Sequence, residues 1–245
     1  MAQNIYDDPA FFEGYSQFPR SREGLAAANE WPALRAMLPD LNGKRVLDLG
    51  CGFGAFARFA AAEGANSVLG IDLSEKMLET ARERTDNAAV AYQRGDLDKL
   101  DLGDRTFDVV FSSLAFHYAA DFATLARTIR AALTDGGALV FSVEHPLFAV
   151  RTEPEFSTDA GGKRVFLVDD YLGEGKRVTS WVVDGVEKYH RTIATYINSL
   201  LDAGFSLSAI DEWGPGPELL AQNPDYIDHR IRPMFLLMGA RATSR

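Results

Sequence analysis

The sequence predicts an α/β protein: a doubly wound, mainly parallel sheet with an N-terminal helical cap and an antiparallel β insert. Three observations predict it. Between about residues 44 and 145, short apolar runs alternate with amphipathic stretches, the pattern of strand–helix–strand units. The first run ends in "VLDLGCGFG", Val46 to Gly54, a glycine-rich turn that leads from strand into helix. After Pro146 the pattern changes to short alternating segments of the kind that form hairpins.

Residues 1–43, rich in aromatics and helix formers, read as the cap. "KRVLDLG" is the first strand, and "AFARFAAAEG" a helix with Phe56, Phe59 and Ala60 on one face and Gly64 as its stop. "SVLGID" is the second strand. Ser74 caps the next helix, which carries Met77, Leu78 and Ala81 on one face. "AVAYQRGD" and "FDVVFSS" are the third and fourth strands. "DFATLARTIRAALTDGG" is a helix closed by its glycine pair, and "ALVFSVEH" the fifth strand. Residues 146–191 form the insert, with a hairpin turn expected at Asp184-Gly185. In residues 192–245, "TIATYINSLLDAGF" returns to helical periodicity before two closing strands, "SLSAIDEW" and "PMFLLMGARA". A chain of 245 residues suits one elaborated domain.

The formal charge of -10 argues against a surface that tracks phosphates, so no nucleic-acid partner is expected. Cys51 is the single cysteine, which excludes an intramolecular disulfide and a cysteine-rich metal site. The histidines are scattered, and no metal is expected. "MAQNIYDDPAFFEGY" lacks the pattern of a secretory signal, and no apolar run approaches the roughly 18 residues of a membrane span. A reducing cytoplasm is the expected location, with no membrane partner. Oligomeric state stays open.

Gly50, Gly52 and Ala55 fit the G-x-G-x-x-[GA] turn, which by itself serves several nucleotides. The acids discriminate. Asp48 lies inside the end of the first strand, where a carboxylate would repel a pyrophosphate but attract a cation. Asp72 ends the second strand, where it can accept from ribose hydroxyls. Asp96 ends the third, placed to accept from an adenine amino group while the Leu97 backbone pairs beside it. Three acids at successive strand ends suit S-adenosylmethionine (SAM), with its amino group and sulfonium, better than a dinucleotide. A nicotinamide oxidoreductase is disfavoured by Asp48.

The ordered segments "VLDLGCGFG", "GIDLS", "GDLDKL", "FDVVFSSLAFHY" and "LTDGGALVFSVEHP" resemble the motifs of class I SAM-dependent methyltransferases. More narrowly they resemble the small-molecule branch that is similar to the quinone-biosynthesis methyltransferases. The resemblance implies a Rossmann-like seven-stranded sheet whose last strand is antiparallel. It further implies that Gly50, Cys51 and Gly52 turn around the methionine part of SAM, with Asp48 steering its amino group. Asp72 would hold the ribose, Leu73 and Met77 would lie against the adenine, and Asp96 and Leu97 would hold its edge. Ser113 would line the methionine side. Arg20 or Arg22 would pair with the SAM carboxylate, or else be a solvated surface arginine. Tyr15 would close over the cofactor or pack within the cap. S-adenosylhomocysteine (SAH) would be the product.

The fourth strand ends in "SSLAFHY", without the Asn/Asp-Pro-Pro-aromatic stretch associated with methylation of planar base amines. An oxygen, carbon or flexible amine acceptor remains. His117 is the leading general-base candidate, its alternative being a brace for the loop after the fourth strand. His145, in a Glu-His-Pro corner, would touch substrate or shape the turn. His190, with Tyr189 and Arg191, would contact substrate if the insert folds over the pocket and otherwise sit exposed on a hairpin. Trp181 and Tyr171 would line an apolar pocket or fill the insert's own core. The expected function is methyl transfer to a small-molecule acceptor. Macromolecule methylation is the alternative, disfavoured by seven Lys/Arg against eight Asp/Glu in residues 149–191. A catalytically silent SAM-binding regulatory subunit is the other.

Overall fold

The computed structural model describes residues 3–244, so the outer ends of the cap and of the closing segment, residues 1–2 and 245, lie outside it. The cap comprises α1 (Pro9–Ser16), α2 (Pro19–Glu23) and α3 (Trp31–Met37). The core alternates β1 (Arg45–Leu49), α4 (Ala55–Ala62), β2 (Ser67–Asp72), α5 (Glu75–Glu83), β3 (Val90–Arg94), β4 (Phe107–Ser113), α6 (Phe122–Ala132) and β5 (Leu133–Glu144). A short α7 (Pro146–Ala149) opens the insert, which holds β6 (Phe156–Thr158), β7 (Arg164–Phe166), β8 (Gly175–Trp181) and β9 (Val183–His190). The chain closes with α8 (Ile193–Asp202), β10 (Phe205–Trp213), α9 (Pro217–Gln222) and β11 (Phe235–Ala242).

Seven strands form one sheet in the order β10-β11-β5-β4-β1-β2-β3. β1 pairs in parallel with β2 and β4, and the pairs β2–β3 and β4–β5 are also parallel. β11 runs antiparallel to both β5 and β10, as the resemblance implies. The order of connection reverses between β1 and β4, and such switch points open a crevice at the strand ends.

The sheet is buried on both faces. Leu47 and Leu49 of β1 pack with Phe122 and Ile129 of α6 and Tyr196 and Leu200 of α8. Val46 points the other way, to Leu34 of α3, Phe56 of α4 and Phe111 of β4. Asp48 shares the Val46 face and interrupts the apolar run that follows Arg45. Each fully buried large apolar side chain here contributes about 1.5–3 kcal/mol, which fixes the register around that one carboxyl.

Two local expectations are corrected. The glycine pair does not close α6, which ends at Ala132. β5 starts at once, and the register jumps from Phe107↔Leu133 to Val109↔Ala138, so the glycines lie in a bulge. Gly136 has φ +75°, which a bulge accommodates at no steric cost. Nor is Asp184-Gly185 the hairpin turn. Trp181 pairs with Val183 and Thr179 with Val186, so Val182 makes the turn and Asp184-Gly185 bulge opposite Ser180.

That hairpin lies against the cap. A Cβ on Gly14 of α1 would sit 2.6 Å from Val182 Cγ1. Trp181 meets Phe11 and Tyr15 edge-on and stacks on Phe18, with centroids 5.5, 5.9 and 6.1 Å away. Cap and insert thereby form one aromatic roof over the strand ends.

Candidate active site

The glycine turn is shaped by contact. Gly50 has φ +71°, and a Cβ there would lie 2.3 Å from the Ala115 Cβ. The amides of Gly50 and Cys51 donate to the Ile71 carbonyl at 2.8 and 3.0 Å, and the Gly52 amide donates to Asp72 Oδ2 at 2.8 Å. The turn is therefore tied to the end of β2. Above it lies a cavity of about 720 Å³. That size falls within the roughly 300–1,000 Å³ of small-molecule sites. Apart from Arg22, the residues expected at the cofactor, from Tyr15 and Arg20 of the cap to Leu97 and to Ser113 at the end of β4, line this one cavity.

Asp48 is only 2% exposed, and its Oδ2 has no hydrogen-bond partner. Burial, reinforced by the charge of Asp72, pushes its carboxyl up to about 8. An orphaned buried carboxyl at a cavity wall fits a cationic ligand group, and the ammonium of SAM is one. Asp72 accepts from the Ser74 amide at 2.9 Å through Oδ1 and from Gly52 through Oδ2. Burial raises its pKa, and the backbone amides oppose the rise. Each oxygen keeps a lone pair for a ribose hydroxyl. Asp96 accepts from the Asp98 amide at 3.0 Å, which orients its carboxylate beside Leu97. Met77 is buried, and Leu73 stands near it on the cavity wall.

Arg20 donates to Ser113 Oγ at 3.2 Å and ion-pairs with the fully buried Glu30. It is thus held at the β4 end of the cavity, suited to a ligand carboxylate. Arg22 is not at the cavity; its guanidinium donates to Gln17 on the surface. Tyr15 stacks on Phe11 within the roof while also facing the cavity.

The three candidate histidines part company. His117 is buried at the cavity wall, and its Nδ1 accepts from the Glu144 amide at 3.3 Å. Burial lowers its pKa to about 4, with Lys188 and Arg191 adding to the effect against Glu144. The ring is neutral, with its proton on Nε2. His145 does not line the cavity. It caps α7 by accepting from the Leu147 amide at 3.0 Å, and its Nε2 meets Glu212 at 2.9 Å, so both nitrogens are committed to the turn. His190 is fully buried rather than exposed, with Nε2 2.8 Å from the Tyr171 carbonyl and away from the cavity. Arg191 donates to the Ala119 and Ala120 carbonyls, and Tyr171 covers His190, so neither faces substrate. Trp181 does line the cavity.

Sequence reasoning missed the far end of the cavity. Lys188, Arg177, Trp213 and Arg232 stand there, and Tyr6 and Tyr118, with hydroxyls 3.1 Å apart, also line the cavity. Burial keeps both phenols protonated. Tyr118 was adjacent to His117 in the sequence and within reach of the same argument; Arg232 carried no motif.

The fold and the site together define the architecture of a class I methyltransferase. A methyltransferase-domain family profile matches residues 47–141. The S-adenosylmethionine-dependent methyltransferase of Mesorhizobium loti is 48% identical, superposes with a TM-score of 0.84, and covers 89% of this chain and 100% of its own. An uncharacterized protein of Haemophilus influenzae is 36% identical over 99% of this chain and 98% of its own length. A malonyl-[acyl-carrier protein] O-methyltransferase of Erwinia pyrifoliae is 41% identical, but over only 41% of this chain and 37% of its own length. The chain belongs to the SAM-dependent methyltransferases, and SAM is its cofactor.

Proposed function

We propose that this chain transfers the methyl group of SAM to an oxygen, carbon or amine of a small molecule by direct displacement. The observation that carries the reading is the roof: α1 and the β8–β9 tip meet through Trp181 and close a cavity that extends well past the cofactor residues. A space of that form encloses a small acceptor and excludes water. Methylation of RNA or protein would need an open, basic approach instead. The carrier-linked malonyl group named for the Erwinia relative is not carried over, because that likeness spans less than half of this chain. A reducing cytoplasm suits the lone, buried, free Cys51.

Bound SAM supplies a methyl group on a cationic sulfur. The chain's own work is alignment. Asp48 and Arg20 hold the two ends of the amino-acid part, and Asp72 anchors the ribose through oxygens already oriented by backbone amides. The neutral ring of His117 offers an Nε2–H to the acceptor and orients it. With its Nδ1 lone pair occupied, it does not take the acceptor's proton, so the reading favours acceptors that are nucleophilic as they enter. The Tyr6–Tyr118 hydroxyl pair, one donating to the other, leaves one further neutral donor at the cavity wall.

The test is transfer itself. Protein and methyl-labelled SAM are incubated with the low- and high-molecular-weight fractions of a cell extract separated by ultrafiltration. Label and SAH should appear with the small molecules and be lost in the Asp72→Ala protein. Label confined to the macromolecular fraction would overturn the proposal.

A further inference from the structure

Charge along the cavity wall is divided. Glu30, Asp48, Asp72, Asp96 and Asp98 line the cofactor end with Arg20, whereas Arg151, Arg177, Lys188 and Arg232 line the far end with Glu144. Most of these cations have protein partners. Arg151 pairs with Glu155 and Asp169, Lys188 pairs with Glu144, and Arg177 donates to the Val150 and Gly173 carbonyls.

Arg232 differs. The residue is 8% exposed, and its Nε is buried without a partner. The guanidinium lies over Phe148 at 4.2 Å, Phe166 at 5.2 Å and Phe156 at 5.7 Å. Nearby Asp228 is committed to Arg164 through two bonds of 2.6 and 2.7 Å. Among the described residues the other buried arginines, Arg130 and Arg191, each leave one Nη without a partner but are tied to backbone through another nitrogen: Arg130 donates to the Gly204 carbonyl at 3.1 Å, and Arg191 to that of Ala120 at 2.9 Å. Aromatic faces attract a cation but cannot accept from its Nε, and Asp228 and Glu144 act on its charge only through space, so burial still lowers its pKa. A planar fork held in this way is matched by a carboxylate or a tetrahedral oxyanion.

We propose that Arg232 is the anion anchor of the acceptor site, and that the methyl acceptor carries a carboxylate, phosphate or phosphonate group bound by its guanidinium. The inference rests on the reading of this cavity as a small-molecule methyl-transfer site. It places a cationic cofactor at the acidic end and an anionic acceptor at the basic end.

The full-length protein, saturated with SAH, is titrated with malonate, inorganic phosphate and methylphosphonate, with uncharged malonamide as control. The thermal midpoint is followed together with the fluorescence of Trp181 and Trp213, which line the cavity. At least one anion should give a saturable rise in midpoint, and malonamide none. A response to malonate alone indicates a carboxylate acceptor, and a response to phosphate or methylphosphonate a tetrahedral one. Arg232→Met should keep the SAH-dependent shift, lose the anion-dependent shift, and lose little stability without anions, because the desolvation cost of a buried charge goes with it. Arg232→Lys should bind the anion about tenfold more weakly, the worth of one charge-assisted hydrogen bond. No anion response in wild type, or an equal response in Arg232→Met, would overturn the proposal. If Arg232→Met does not fold, unchanged anion affinity in Arg232→Lys would overturn it. Failure of SAH to shift the wild type would instead overturn the methyl-transfer reading beneath it.

Discussion

The Nδ1 lone pair of His117 faces the Glu144 amide, and burial brings the ring's pKa down to about 4. A general base is most effective when its pKa lies near the working pH, and removing one typically lowers the rate by about 10²–10⁴-fold. His117→Asn, whose amide oxygen can still accept from Glu144, should therefore keep kcat/KM within about tenfold of wild type, well short of that loss. A fall of a hundredfold or more would restore His117 as the base. The same shift bears on stability. From the ordinary value of 6.5 down to about 4, the unfolded chain binds more protons than the folded one, so stability falls as pH falls through that window. The loss amounts to about 3 kcal/mol and should be absent in His117→Asn. Asp48, raised to about 8, acts in the opposite sense, so wild type and variant must be compared by chemical denaturation at each pH.

Among the elements, the β8–β9 hairpin and α1 depend on each other. Trp181 touches three aromatic rings of the cap and carries the Lys188 ammonium 5.0 Å from its ring centroid. Trp181→Ala should lower stability by about 2 kcal/mol, read as a lower denaturation midpoint. An unchanged midpoint would mean that the roof is not held there. The sheet was legible in the sequence because its signals are local: β2 and β4 match the segments read for them, and Ser74 caps α5 by accepting from the Met77 amide. The insert was legible only as antiparallel. Its Asp-Gly pair is one signal compatible with either a turn or a bulge, and the hairpin tip at Val182 lies against Gly14, far away in sequence. The choice between the two readings of His145, and the burial of His190, were hidden for the same reason. Their partners, Glu212 and the Tyr171 carbonyl, come from β10 and from the segment before β8. Arg232 was invisible because its cage is assembled from α7, β6 and β7.

At the scale of the whole molecule, a net charge of -10 says little about the site, because the cavity itself is divided. Acids gather where β1, β2 and β3 end, and bases gather under the insert. Among the described residues no helix is long and apolar enough to cross a membrane. The acidic end is the part built for a cation, and Asp48, at the end of β1, is buried in its wall. With its pKa raised to about 8, this carboxyl is protonated in the free protein at neutral pH. Close approach of the cofactor's ammonium favours the carboxylate, so binding should expel a proton. Calorimetric titration of SAH at neutral pH in buffers of different ionisation enthalpy measures this directly. The account predicts release of close to one proton in wild type, none in Asp48→Asn, and an affinity that rises as the pH is raised toward 8. A binding heat independent of buffer, or the same proton release in Asp48→Asn, would contradict it.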